Sequence, residues 1–109
     1  MGGGYGDAML VAFSVAPAVA ADDTGSVSEA VAAAIRVVRE SGLPNRTDAM
    51  FTTVEGEWDE VMSVVKGAVD AVAAASPRVS LVLKADIRPG FTGELDGKVA
   101  RIEGLLADD

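Results

Sequence analysis

The feature that most constrains the fold is an alternating segment near the C-terminal end, Arg78 to Arg88. Its apolar positions are Val79, Leu81, Leu83, Ala85 and Ile87, which alternate with Arg78, Ser80, Val82, Lys84, Asp86 and Arg88. Because successive side chains of a strand point to opposite faces, this pattern predicts a strand with a core on one side only. We therefore expect a sheet with helices behind it and an uncovered, charged front.

The rest of the chain predicts further strands and helices. Strands are predicted from alternation and helices from apolar residues at spacings of three and four. The sequence Ser26-Val27-Ser28-Glu29 also has the form of a capping box at a helix start. In chain order, the predicted elements are a strand over Ala8–Val15, a helix from Ser26 to about Ser41, two short strands within Asn45–Glu55 of which the second is Met50–Val54, a helix over Glu57–Ala75, the strand Arg78–Arg88 and a short helix carrying Leu95–Leu106.

The order β-α-β-β-α-β plus a terminal helix is that of a ferredoxin-like α+β domain, an antiparallel sheet with both main helices on one face. A chain of 109 residues fits one domain. We assign residues 8–109 to a single ferredoxin-like domain, and residues 1–7, which include three consecutive glycines, to a flexible leader. Since a small domain buries a modest share of its surface, self-association would add useful burial.

Composition excludes several classes of function. The chain has no Cys and no His, so disulfides, thiolate or imidazole metal sites and Ser-His-Asp or Cys-His catalysis cannot be built. The formal net charge of -8 disfavours nucleic acid, because affinity for a phosphate backbone comes largely from Lys and Arg. We therefore expect a protein that is not an enzyme, has no cofactor or metal and does not bind nucleic acid.

The apolar stretch Met9–Ala20 has some features of a secretory signal peptide. It ends in Ala18-Val19-Ala20, which resembles a cleavage site. A signal peptide has a positively charged segment before its apolar stretch, whereas here no Lys or Arg precedes the stretch and the acidic Asp7 does. No apolar run approaches the roughly 20 residues needed to span a bilayer. We expect a cytoplasmic protein without a membrane partner, with export as the alternative.

The strongest candidate site is the turn from the third strand into the second helix, Thr52–Trp58. It brings together a hydroxyl, the carboxylate of Glu55 and the only indole of the chain, that of Trp58. An indole face and a carboxylate suit a flat ring that is cationic or donates hydrogen bonds. The structural alternative is that Glu55 caps the helix and Trp58 packs in the core.

Two further polar groups are weaker candidates. Lys84, Asp86 and Arg88 share the polar face of the last strand, where they are either solvated or buried against another copy of the chain. Ser14 and Ser28 flank the first loop, where a hydroxyl more often caps a helix than binds a ligand. Neither group identifies a ligand by itself.

Several short motifs carry a family resemblance from Leu10 to Leu106. They are Phe13-Ser14-Val15-x-Pro17, Ser26-x-Ser28, Ser41-Gly42-Leu43-Pro44, Met50-x-Thr52-x-Val54-Glu55-Gly56-Glu57-Trp58-Asp59-Glu60-Val61 and Arg78-Val79-x-x-x-x-Lys84-x-Asp86-x-Arg88. In this order and spacing, they resemble the thiamine-binding-protein family of small ferredoxin-like proteins. Phe51 departs from the pattern, because the family usually has Gly there.

The resemblance implies thiamine or its hydroxymethylpyrimidine moiety as ligand, and dimers that pair into tetramers through the open sheet faces. In this hypothesis Trp58 stacks on the ring, and Glu55 accepts a hydrogen bond from the aminopyrimidine or faces the thiazolium charge. A bulky Phe51 is expected to narrow the pocket or change which ring it accepts. The predicted ligand contacts are Ser14, Ser28, Thr52, Glu55, Trp58, Lys84 and Asp86.

Two other functions remain open. One is a structural or regulatory module whose charged sheet face assembles with other copies and binds no small molecule. The other is a hydrolase that uses the carboxylates of Glu55 and Asp86, although nothing in the sequence marks either group as unusually perturbed.

Overall fold

The computed structural model describes residues 9–18 and 26–107. In chain order, the elements are β1 (Met9–Pro17), α1 (Ser26–Glu40), β2 (Asn45–Thr47), β3 (Thr52–Gly56), α2 (Trp58–Ala73), β4 (Val79–Ile87) and α3 (Glu94–Ala107). This order confirms the predicted ferredoxin-like α+β fold with an additional C-terminal helix. The predicted leader, residues 1–7, lies outside the described residues, and the assignment of residues 8–109 to one domain stays a prediction.

The four strands form one sheet in the order β2-β3-β1-β4, with every neighbouring pair antiparallel. The register places Val11 of β1 between Val54 of β3 and Ala85 of β4. One residue earlier, Leu10 lies between Glu55 and Asp86. Because side chains alternate along a strand, Val54 and Glu55 point to opposite faces of the sheet.

The core lies between one face of the sheet and the helices α1 and α2. Strand β1 contributes every second residue to it, as the alternation predicted, and α2 contributes residues at helical spacing. Helix α1 buries Ala30, Ala34 and Val38 in this core, while Val27 in its first turn is exposed. The buried apolar residues are Met9, Val11, Phe13, Val15, Ala30, Ala34, Val38, Val54, Val61, Val64, Val65, Ala68 and Val72.

The apolar side of strand β4 packs on the core only in part, through Val79 and Leu83. Leu81 and Ile87 on that side remain exposed, and none of the residues of β4 is fully buried. The reason is position, because β4 is the outermost strand and the two helices pack mainly over β1. Alternation therefore identified the strand correctly but could not show that it lies at an edge of the sheet.

Strand β3 begins at Thr52, two residues later than the predicted Met50. The side chain of Asp48 accepts hydrogen bonds from the backbone N–H groups of Met50 and Phe51, at 2.9 and 3.0 Å. These bonds form a turn that replaces the start of the strand, and they lower the pKa of Asp48. Met50 and Phe51 are consequently exposed at the tip of the β2–β3 hairpin.

Candidate functional site

Four of the predicted site residues share the sheet face opposite α1 and α2, which we term the open face. Ser14 lies on β1, Glu55 on β3, and Lys84 and Asp86 on β4. Their common orientation follows from the register, because Leu10, which alternates with the buried Met9 and Val11, pairs with both Glu55 and Asp86. The sheet therefore brings together residues that are up to about 70 positions apart in the sequence.

The other three predicted residues lie elsewhere. Thr52 is buried on the helix side of β3, where its hydroxyl oxygen lies 3.1 Å from that of Thr47. Ser28 is exposed in the first turn of α1. Trp58 begins α2 and is 40% exposed, so it does not pack in the core as the structural alternative required. The seven predicted residues thus do not line one pocket.

Glu55 caps helix α3, whereas the structural alternative expected it to cap α2. Its two carboxylate oxygens accept hydrogen bonds from the backbone N–H groups of Glu94 and Leu95, at 3.2 and 3.1 Å. These groups belong to the first turn of α3, where N–H groups lack partners within the helix and the helix dipole favours a negative charge. Glu57 instead caps α2, by accepting a bond from the N–H of Glu60.

A tight backbone turn lets α3 start beside Glu55. Gly93 has a positive φ of 70°, a conformation that favours glycine, and its carbonyl accepts the N–H of Gly97 at 2.8 Å. The helix then runs over part of the open face. Glu55 lies beneath this helix start and is only 6% exposed. The predicted front of the sheet is therefore partly covered by the chain's own α3.

Ion pairs also hold the first half of α3. Lys98 of α3 pairs with Asp86 on the open face, and Asp96 pairs with Arg46 of β2. The hydrogen bond from Lys98 lowers the pKa of Asp86, and a hydrogen bond from Arg101 likewise lowers the pKa of Glu94. Asp86 is therefore paired with a residue of a helix that follows its strand in the chain.

A cavity of about 350 Å³ adjoins Glu55 at the end of β3. It is lined by Leu43 and Pro44, which precede β2, and by Gly93 and Leu95 at the start of α3, while the exposed Asp96 lies at its margin. None of the described residues that line this cavity is cationic. A carboxylate has about four acceptor positions, of which Glu55 uses two for backbone N–H groups, so it can accept further hydrogen bonds.

The arrangement suits a small flat molecule that is cationic or donates hydrogen bonds, because apolar walls surround an acceptor group. Sequence reasoning found Glu55 but missed the walls. The motif Ser41-Gly42-Leu43-Pro44 contributed to the family resemblance but was not predicted to line a site. Two glycines shortly before α3, at positions 90 and 93, were the sequence signal for a tight turn on the α3 side of the cavity. Both adopt a positive φ in the structure.

A smaller groove of about 160 Å³ lies next to α3 on the open face. Lys84 and Asp86 line it together with Lys98, while Leu10 and Thr53 form its floor. Its charges are mixed and Asp86 is already paired, so the groove shows no preference for a ligand of one charge.

Two absences are confined to the residues that the structure describes. Within 9–18 and 26–107, no group of three or more carboxylates is placed to hold a metal ion. Over the same residues, no helix combines the length and hydrophobicity that a membrane crossing requires.

Comparison with known proteins agrees with this architecture. Residues 11–103 match the model of a family described as thiamine-binding protein. A UPF0045 protein of Mycobacterium bovis is 57% identical over 99 residues, which cover 90% of this chain and 94% of that protein.

Two solved structures have the same fold. A domain of unknown function from Bacillus cereus is 34% identical and superposes with a TM-score of 0.72, covering 84% of this chain and 88% of that one. A Thermotoga maritima protein, whose description conjectures a role in thiamine biosynthesis or salvage, is 29% identical with a TM-score of 0.69, covering 84% and 97% of the two chains.

The fold and the open face define a small ferredoxin-like α+β domain with a C-terminal helix across its sheet. Since the family model spans most of the sequence, the chain belongs to the thiamine-binding protein family. This membership confirms the resemblance seen in the sequence motifs.

Proposed function

We propose that the protein binds thiamine or its hydroxymethylpyrimidine moiety in the cavity beside Glu55. The observation that carries the proposal is the Glu55 carboxylate, which is almost completely buried yet retains acceptor positions at a cavity without a cationic side chain. The family to which the chain belongs is named for this ligand.

The cavity matches the chemistry of the ligand. The amino group of the pyrimidine donates a hydrogen bond to Glu55, and the negative charge of this carboxylate also favours the cationic thiazolium. Asp96 at the margin is already paired with Arg46 and adds less. Leu43, Pro44 and Leu95 contact the faces of the rings. Ser14, Lys84 and Asp86 lie on the same sheet face outside this cavity, whereas Ser28, Thr52 and Trp58 stay untested predictions that this binding mode does not require.

Binding fits the site better than carboxylate-based hydrolysis. A general acid near neutral pH needs a raised pKa, but the pKa of Asp86 is lowered by its hydrogen bond with Lys98. Both oxygens of Glu55 hold backbone N–H groups of α3, so a proton transfer there would disturb the helix start. The family is likewise named for a ligand and not for a reaction.

We also propose that the protein works as a cytoplasmic homo-oligomer assembled through the open face, as the sequence predicts. Lys84 on β4 and Arg88, one residue after this strand, are exposed. The second candidate function, an assembly module without a ligand, is favoured by the exposed apolar residues of α3. It predicts that oligomers dissociate when Lys84 and Arg88 are replaced, and that no ligand is ever found.

Isothermal titration calorimetry with thiamine and with hydroxymethylpyrimidine tests the ligand assignment. We expect Glu55→Gln to weaken binding about tenfold or more, a loss of about 1.4 kcal/mol or more, because an amide carries no charge and has fewer acceptor positions. The control Glu60→Gln removes an exposed carboxylate from α2 and should bind like the unmodified protein. If neither compound produces heat with the unmodified protein at high micromolar concentration, the assignment is wrong.

A further inference from the structure

A further groove lies between α1 and β2, the strand at the other edge of the sheet from β4. We term it the α1–β2 groove, and its volume is about 410 Å³. It shares no lining residue with the cavity beside Glu55. Its lining residues are Ala32, Ile35, Arg36 and Arg39 of α1 and Thr47 of β2.

Helical spacing brings two arginines to this groove. Arg36 and Arg39 are three positions apart, and Ala32 and Ile35 each lie four positions before one of them, so all four residues lie along one side of α1. Both arginines are exposed, whereas Ile35 is half-buried. The α1–β2 groove therefore combines apolar side chains with two cationic groups.

The sheet register places the hydroxyl of Thr47 beside the same groove. Thr47 pairs with Thr52, which is buried on the helix side of the sheet, and directly paired residues point to the same face. Their hydroxyl oxygens lie 3.1 Å apart, and either can donate this hydrogen bond. When Thr52 donates, the hydrogen of the Thr47 hydroxyl is available to a ligand. Since Glu55 points to the open face, its carboxylate and the α1–β2 groove lie on opposite faces of the sheet.

The fold itself does not use these two arginines. Among the residues that the structure describes, the ion pairs include neither Arg36 nor Arg39. Glu40 lies four residues after Arg36 without pairing with it, and a basic residue before an acidic one is the weaker order on a helix. The helix dipole favours a cation in the last turn, which accounts for Arg39 but not for Arg36. In a chain with 17 acidic residues, two neighbouring arginines without an acidic partner are available to an external anion.

The chemistry of the groove indicates the class of anion. A guanidinium group can donate two parallel hydrogen bonds to the oxygens of a phosphate group. The volume of the groove lies within the range of about 300–1,000 Å³ that is usual for sites of small organic molecules, and Ala32 and Ile35 offer apolar contacts. Nucleic acid is a poor candidate, because the net charge of -8 repels a polyanion. A small organic molecule that carries one phosphate group fits these properties.

We propose that the α1–β2 groove is a second ligand site, which binds a small organic phosphate through Arg36, Arg39 and Thr47. The two guanidinium groups donate hydrogen bonds to the phosphate oxygens, and the Thr47 hydroxyl donates one more. Ile35 contacts the organic part of the molecule. The proposal is independent of the ligand that binds beside Glu55, because the two sites share no residue.

Nuclear magnetic resonance titrations with phenyl phosphate, inorganic phosphate and benzoate, at constant ionic strength, test the site and its ligand class. We expect phenyl phosphate to shift the side-chain Nε–H signals of Arg36 and Arg39 and the amide signal of Thr47. It should bind about tenfold more tightly than benzoate, because a phosphate group carries about two negative charges and has more acceptor oxygens. It should also bind more tightly than inorganic phosphate, because its ring contacts Ile35.

Three results of these titrations would contradict the proposal. If the signals of the groove do not shift at phenyl phosphate concentrations on the order of 10 mM, where a millimolar Kd would be evident, the groove is not a site. If benzoate binds as tightly as phenyl phosphate, the site does not select phosphate. If inorganic phosphate binds as tightly as phenyl phosphate, the groove does not hold an organic group.

Single variants test the role of each arginine. Arg36→Gln and Arg39→Gln should each weaken the binding of phenyl phosphate about tenfold or more, because each removes hydrogen bonds between charged groups. Arg78→Gln is the matched control, since it removes the same charge from an exposed arginine outside the groove, and it should bind like the unmodified protein. Unchanged amide signals of β1 would show that the variants fold. Equal weakening by all three substitutions would show a response to net charge alone and would overturn the proposed site.

Discussion

The two faces of the sheet are built from different interactions. The face that packs on α1 and α2 is a continuous apolar core, in which Met9, Val11 and Val54 are completely buried. The open face holds α3 through Glu55 and through ion pairs that remain partly exposed. The helix-covered face therefore supplies most of the stability, whereas the open face can change its contacts at low cost and is suited to binding.

The greatest loss of stability is expected in the core, so we compare a ring on the helix-covered face with an exposed ring in the turn that leads to α3. Phe13→Ala removes a fully buried ring and should lower the free energy of unfolding by about 3–5 kcal/mol. Phe91→Ala removes an exposed ring that stacks on Arg88, with its centroid 3.6 Å from the guanidinium carbon, and should cost less than about 1 kcal/mol. Urea denaturation measures both, and equal losses would contradict the comparison.

The next effect concerns the attachment of α3. Glu55→Ala leaves two backbone N–H groups of α3 without their acceptor and should weaken the attachment by about 1–3 kcal/mol. We expect faster hydrogen exchange at Glu94 and Leu95, with little change in the core strands. Uniform loss of protection across the molecule would show that the two faces unfold together.

Much of the helix-covered face could be predicted from sequence, because its pattern is local. Alternation located β1 and β4, and helical spacing located α2. The open face depends on contacts between distant segments, such as the bonds from Glu94 and Leu95 to Glu55, which span 39 and 40 residues. No local pattern indicates that the carboxylate of Glu55 caps α3, that β4 lies at an edge or that Leu43 lines a cavity. Thr52 and Glu55 were grouped because both lie near the turn into α2, although alternation along one strand places residues three apart on opposite faces.

A smaller effect on stability is expected from replacing glycine by alanine in α3 and in α2. In α3, a Cβ at Gly104 would meet no atom within 4 Å, so Gly104→Ala should stabilise the helix by up to about 1 kcal/mol. In α2, a Cβ at Gly67 would lie 3.0 Å from the Cγ1 of Val37, so crowding between the main helices should offset that gain or exceed it. Thermal denaturation compares the two variants, and an equal gain at both positions would contradict the close packing of α1 and α2.

Lowering the pH is expected to have the smallest effect, a weakening of the attachment of α3 to the sheet. The pKa of Asp86 is lowered by its hydrogen bond from Lys98. The stabilisation of α3 by this ion pair is therefore fully present above the ordinary pKa of the carboxyl and is lost as the pH falls through the lowered value. The attachment of α3 should therefore be constant from about pH 5 to pH 8 and weaken below about pH 4. Chemical shifts of α3 across this range measure the effect, and Asp86→Asn should remove part of it. Loss of attachment on raising the pH from neutral would contradict this assignment.

A crystal structure of the protein with hydroxymethylpyrimidine would show directly whether the ligand binds beside Glu55. We predict electron density for the ring between Leu43 and Leu95, with its amino nitrogen within hydrogen-bonding distance of a Glu55 oxygen. Density for the ring at another surface, with the cavity beside Glu55 empty, would contradict it.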